Sequence, residues 1–194
     1  MTLSEALPAR RLAPWVAASA AIVVVAAIVL WLMGHPWICT CGTVKLWHGE
    51  TVSSENSQHL IDWYTTSHLL HGLIFYFVLW LVARSWPHPV RFTIALAVEA
   101  GWEILENTPL IINRYREATI SLDYYGDSVL NSVTDILAMV VGYFVAARAP
   151  VWVSVAIIVV VEVSLAFAIR DNLALNVLML IYPLDAVRVW QGGG

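Results

Sequence analysis

Three clusters of ionisable residues sit inside or beside long apolar runs: S67-H68-L-L-H71, E99-A-G-W-E103-I-L-E106-N and D127-S-V-L-N131-S-V-T-D135. Imidazoles and carboxyl groups are the side chains of proton transfer and of metal ligation. At helical spacing each cluster occupies one face: His68 and His71 are i, i+3; Glu99, Glu103 and Glu106 are i, i+4, i+7; Asp127, Asn131 and Asp135 are i, i+4, i+8. Ionisable groups at membrane depth are costly, and by default they mark a site. The candidate catalytic set is His68 or His71 as general base, Glu103 or Glu106 as general acid or metal ligand, and Asn131 and Asp135 as orienting groups. Arg114 and Arg116, with Asp127 at the mouth, form the candidate substrate-binding set, the arginines as contacts for an anionic head group.

Composition says what must position these groups. Of 194 residues, 60% are hydrophobic and 12% charged, and the mean hydropathy is +0.74, values of a multi-pass membrane protein. The expected fold is all-α: a polytopic membrane helix bundle with five to six transmembrane helices in one domain. The helices are expected at about 14–33, 63–83, 90–112, 127–147 and 151–169, with a short last segment at 173–190. A cytoplasmic tail, 1–13, precedes them, and periplasmic loops cover 34–62 and 113–126. Arg10 and Arg11 precede an apolar run with no A-x-A cleavage site after it, so this run reads as an uncleaved first helix. The last apolar piece, Leu173 to Leu184, is too short to span; it either continues to Trp190 as a sixth helix or forms a re-entrant or interfacial segment. The net charge of -4 leaves no basic surface for nucleic acid. With a cytoplasmic N-terminus, Arg10, Arg11, Arg84, Arg91, Arg148 and Arg188 lie inside, and Lys45, Arg114, Arg116 and Arg170 outside.

Counting inward at about 1.5 Å per residue from Trp63, Ile112 and Asp127 puts His71, Glu103 and Asp135 at one depth, roughly 12 to 14 Å in. His68, Glu106 and Asn131 form a layer about one turn shallower, and matched stripes on three helices imply one shared cavity. Polar side chains also serve as interhelical glue, so a structural polar core is the competing interpretation. A divalent metal such as zinc, manganese or iron is possible, although no H-E-x-x-H or Glu-x-x-His pair occurs and the sequence requires no cofactor. In C39-T-C41 the pair either binds a soft metal with His35 or His48 or packs as two small residues. Trp102 could line the cavity, and Glu162, alone in the fifth helix, needs a partner or a neutral state.

N131-S-V-T-D135-I-L-A-M-V-V-G142 is similar to the Asn/Asp helix of lipoprotein signal peptidases. Asp127 and Asp135 are about 12 Å apart along one helix, too far to share a proton. Glu, Arg, Asp and Asn also follow the order found in the glycopeptide-resistance accessory membrane family. P36-W-I-C-T-C-G-T-V-K-L-W-H-G, S53-S-E-N-S-Q-H-L-I-D-W-Y, W102-E-I-L-E-N, T119-I-S-L-D-Y-Y-G-D-S-V-L-N-S-V-T-D and R170-D-N-L-A-L-N-V-L-M-L resemble an uncharacterised bacterial family of multi-pass inner-membrane proteins. That resemblance implies a bacterial cell inner membrane location and no catalytic residue. The functional expectation is a membrane-embedded envelope enzyme acting on a lipid or lipid-linked substrate. The alternative is a non-enzymatic subunit or assembly factor working with other membrane subunits.

Overall fold

A computed structural model describes residues 9–119 and 122–193. Among the described residues there are eight helices: α1 (Ala9–Leu32), α2 (Thr65–Val82), α3 (His88–Glu106), α4 (Pro109–Ala118), α5 (Val129–Arg148), α6 (Val151–Ala168), α7 (Leu173–Ile181) and α8 (Asp185–Gln191). Among the described residues the only β-type pairing is an isolated bridge between Trp47 and Ile61. The all-α class holds.

Four helices are long and apolar enough to cross a membrane: Leu12–Leu32, Thr65–Val82, Val129–Arg148 and Val151–Ala168. That count is below the five to six expected. The third helix has 19 residues, but Arg91 and the three glutamates make it too charged to qualify. The last segment is two short helices broken at Tyr182-Pro183-Leu184, and nine residues of α7 reach only about 14 Å.

The largest difference from the sequence-based boundaries lies in helix three. It stops at Glu106 rather than continuing to 112. Asn107 ends it, and Thr108 is extended (φ -79°, ψ 152°), as suits a residue before proline. Pro109 then opens α4, which takes up half of the expected 113–126 loop. The first helix also begins earlier, at Ala9, so the described part of the expected tail is helical; residues 1–8 lie outside the described residues.

Two helices form the centre. Gly72 of α2 and Gly142 of α5 let the backbones touch: a Cβ on Gly72 would lie 2.1 Å from the Met139 carbonyl oxygen, and one on Gly142 would lie 2.0 Å from that of Leu69. Small residues at such crossings are how membrane helices approach closely. Beside this crossing Ala26, Ala95, Leu96, Ala100, Ile136, Met139 and Tyr143 form the apolar core, with α3 between α1 and α5. Leu165 is the one buried residue of α6, which otherwise faces outward.

The 34–64 segment is a folded cap. Val129 and Leu130 donate backbone N–H bonds to the Pro36 and Trp37 carbonyls, at 2.8 and 3.1 Å, and Ser128 donates to Ser57 at 3.0 Å. Gln58 donates to the Gly126 carbonyl at 2.6 Å. Those bonds occupy the free amides at the start of α5, where the Ser128 hydroxyl also accepts from Asn131.

Replacing Gly142 or Gly72 by alanine is expected to cost several kcal/mol or abolish folding, because backbone cannot yield as a flexible side chain can. Gly101→Ala meets nothing within 4 Å and should be neutral or stabilising by about 0.5–1 kcal/mol. Thermal unfolding of the three variants in one detergent checks this ordering.

Candidate functional site

The α2–α5 crossing sets the histidines one turn from Gly72, and α3 brings its glutamate face against them. His68 Nδ1 lies 2.7 Å from Glu99 Oε1 and 3.1 Å from Glu103 Oε1, and His68 Nε2 lies 3.9 Å from Asp135 Oδ2. His71 Nδ1 lies 3.0 Å from Glu99 Oε2. Glu99 and Glu103 are 0% exposed and Asp135 is 3% exposed. Among the described residues no lysine or arginine pairs with these acids. The layers differ from those counted from residue 112. With α3 ending at Glu106, Glu103 comes level with His68 and Glu99 with His71. Glu99, part of the stripe but given no chemical role, is the residue both imidazoles share.

His68, His71 and Asp135 of this group line a cavity of about 300 Å³. Its polar wall includes Ser67, His68, His71, Glu106, Asp127 and Asp135. Its apolar wall is Phe75 from α2, Val98 and Trp102 from α3, and Leu173, Val177 and Leu180 from α7. Trp102 therefore lines the cavity. Glu103 stands behind the lining with Glu99, in contact with His68. Tyr115 and Tyr124, edge to face at 5.7 Å, add two phenols. Burial pushes both well above the ordinary tyrosine range, helped by Glu106 beside Tyr115 and by Asp127 beside Tyr124, so both stay neutral donors.

The other candidates lie apart from the histidines. Asn131 donates to the His59 carbonyl at 2.9 Å and so holds the cap. Asp127 lines the cavity, yet it is also tied to the framework: Asn107 Nδ2 donates to it at 2.8 Å, and its own amide donates to Asn107 Oδ1 at 2.6 Å. Neither Arg114 nor Arg116 lines the cavity. Arg114 donates to the Leu180 carbonyl at 2.9 Å, near the C-terminus of α7, where a cation is favoured. Arg116 bonds the Leu122 carbonyl and lies over the Tyr125 ring. The break at Thr108-Pro109 places both on a separate helix.

Two partners that sequence reasoning left open are found. Glu162 caps α7, accepting from the Leu173 and Ala174 amides at 3.0 Å each, an anion at a helix N-terminus. The two cysteine sulfurs are bonded to each other, near Glu55 and His59 rather than His35 or His48. His59 Nδ1 accepts the Lys45 amide, so the neutral ring carries its proton on Nε2 and donates it to Glu55. His35 instead bridges the carbonyls of Asp127 and Asn107. Remaining clusters able to ligate an ion are His68, His71 and Glu99, and His68, Glu103 and Asp135.

Asp171 joins α2, α7 and α8, accepting from Tyr64, Asn176, Asn172 and Gln191. Burial pushes its carboxyl up to about 6 from an ordinary 3.8, against the pull of those bonds. The folded state thus holds a proton that the unfolded chain has released, and stability falls as pH rises from 3.8 to about 6. Asp171→Asn should flatten that part of the profile of Tm against pH. Glu162→Gln should weaken the α7 cap by about 1 kcal/mol, read as faster hydrogen exchange at Leu173 and Ala174.

Residues 30–193 match the family described as a protein of unknown function, DUF2585. A UPF0314 protein of Paracoccus denitrificans is 62% identical over 182 residues, covering 94% of each chain. One from Rhizobium meliloti is 54% identical, covering 95% of this chain and 93% of its own. One from Sphingopyxis alaskensis is 51% identical, covering 93% and 95%. No solved structure matches. With its polar residues gathered on a buried chamber in an all-helical membrane bundle, the chain belongs to the DUF2585 family of UPF0314 proteins.

Proposed function

We propose that this is a membrane-embedded enzyme of the bacterial envelope that acts on a lipid or lipid-linked substrate at His68 and His71 of the chamber. One observation carries the reading: the cavity is lined by apolar side chains together with imidazoles and carboxyl groups. A wall from α3 and α7 is apolar and includes Val98 and Val177, 51% and 48% exposed at the surface the bundle would turn to lipid. The same lining includes two imidazoles, His68 and His71, and the carboxyl groups of Glu106, Asp127 and Asp135. A chain lying on the apolar wall would deliver its polar end to these groups.

In this reading His68 and His71 exchange protons with the bound head group, and Glu99 behind them holds both rings in position. Glu106 and Asp135 reach the chamber and are the acids available to a leaving group. Tyr124 donates to Asp127 at 3.1 Å and Tyr115 pairs with Glu106, so the two neutral phenols steady the acids that line the chamber. Residue counts favour a cytoplasmic N-terminus, which puts the cap, α4 and the chamber mouth on the periplasmic side of the inner membrane. The competing role, a non-enzymatic subunit whose polar core only fixes helix packing, makes the opposite prediction for a mild substitution.

The envelope lipids of a deletion strain carrying wild-type protein or Asp135→Asn, compared by mass spectrometry, test the reading. A lipid or lipid-linked species that accumulates without the gene and with Asp135→Asn, at normal levels of folded protein, and disappears with wild type is the expected result. Lipid profiles that are identical in all three strains would overturn it.

A further inference from the structure

We infer that His68, His71 and Glu99 bind one divalent transition-metal ion facing the chamber. The inference rests on the reading of this chamber as a working site. It adds to that reading the positive charge its acidic walls lack.

Geometry comes first. The nitrogens facing Glu99 are Nδ1 of both rings, at 2.7 and 3.2 Å from the same carboxylate oxygen, with the second oxygen 3.0 Å from His71. Two ligand atoms bound at about 2.0–2.1 Å in tetrahedral geometry are separated by about 3.3 Å. The three side chains therefore stand close to the spacing that an ion needs, and small rotations would admit it. Two imidazoles and one carboxylate form a donor set suited to zinc, manganese or iron. Since His68 and His71 line the cavity while Glu99 lies behind them, an ion held by all three would stand at the chamber wall.

A second observation is independent of that spacing. Both oxygens of Glu103, a residue that is 0% exposed, lack any hydrogen-bond partner, as does Oδ1 of Asp135. Glu103 Oε1 is 3.1 Å from His68 Nδ1, but that nitrogen has one hydrogen and directs it to Glu99 at 2.7 Å. A buried carboxylate with nothing to accept from is expensive. Three carboxyl groups here lie within 4 Å of His68, against at most two cationic imidazoles. An ion on Nδ1 of His68 would stand beside Glu103 and neutralise what the two rings cannot. A water on its open position would give Glu103 or Asp135 a hydrogen bond.

The arrangement also explains how a chamber lined by neither Arg114 nor Arg116 could hold an anionic head group: the metal would take the contact that the arginines do not make.

The test uses full-length protein purified in mild detergent without chelator. Elemental analysis should find close to one zinc, manganese or iron per chain in wild type and in Asp171→Asn, and at least a tenfold loss in Glu99→Gln and His71→Gln. Should either variant fail to fold, wild type stripped with chelator and titrated with cobalt(II) decides alone: visible d–d absorption saturating near one equivalent supports the ion. Wild type with no stoichiometric metal and no cobalt uptake overturns it, as does undiminished metal in folded Glu99→Gln and His71→Gln. Metal bound to a protein whose deletion leaves envelope lipids unchanged defeats the enzymatic reading and keeps the ion. A lipid phenotype without metal does the reverse.

Discussion

Where Gly72 meets Gly142, two helix backbones stand in direct contact, and the remaining architecture follows from that approach. Any side chain there would hold α2 and α5 apart. His68 would then move away from Asp135, and the cleft that receives the glutamate face of α3 would widen. A membrane offers no strong hydrophobic drive for helices to associate, so close packing of small residues and polar contacts must supply it. Here the two occur within a few turns of each other. The glycines bring the backbones together, and the carboxyl and imidazole groups bind what the glycines bring within reach.

The bundle is finished by charges placed at helix ends rather than by long apolar packing. Glu162 holds the start of α7, Arg114 holds a carbonyl near its finish, and Asp171 ties its first turn to α2 and α8. A nine-residue apolar helix could not hold its place by itself. Pinned at both ends, it becomes one side of the chamber.

Much of this was legible in the residues. The stripes of His68 and His71, of Glu99, Glu103 and Glu106, and of Asp127, Asn131 and Asp135 follow from helical period alone, and His68, His71, Glu99, Glu103 and Asp135 do meet. What the period could not show was vertical register. That depended on where the third helix stops, and the signal, N107-T108-P109, was present but outweighed by the apolar P109-L-I-I-N113 that follows it. Overrunning the break left Arg114 and Arg116 in a loop instead of on a helix of their own and paired Glu103 with His71 instead of His68. The four apolar spans differ slightly from the five to six expected because α3, a helix of similar length, carries Arg91 and three glutamates. Partners such as Leu173 for Glu162, or Pro36 for Val129, are tertiary facts, set by which chain ends meet.

The cap has a consequence for how the chain is made. Its bonds join residues far apart in sequence: His35 to Asp127 across 92 positions, Gln58 to Gly126 across 68, and His59 to Asn131 across 72. During synthesis at about 5–20 residues per second, the segment from 34 to 64 must wait on the order of ten seconds for α5 to emerge. Over that interval its buried amides and imidazoles have only water or helper proteins to bond. The cap therefore cannot set before α5 has emerged, and its closure reports that α5 has been inserted and has reached its place.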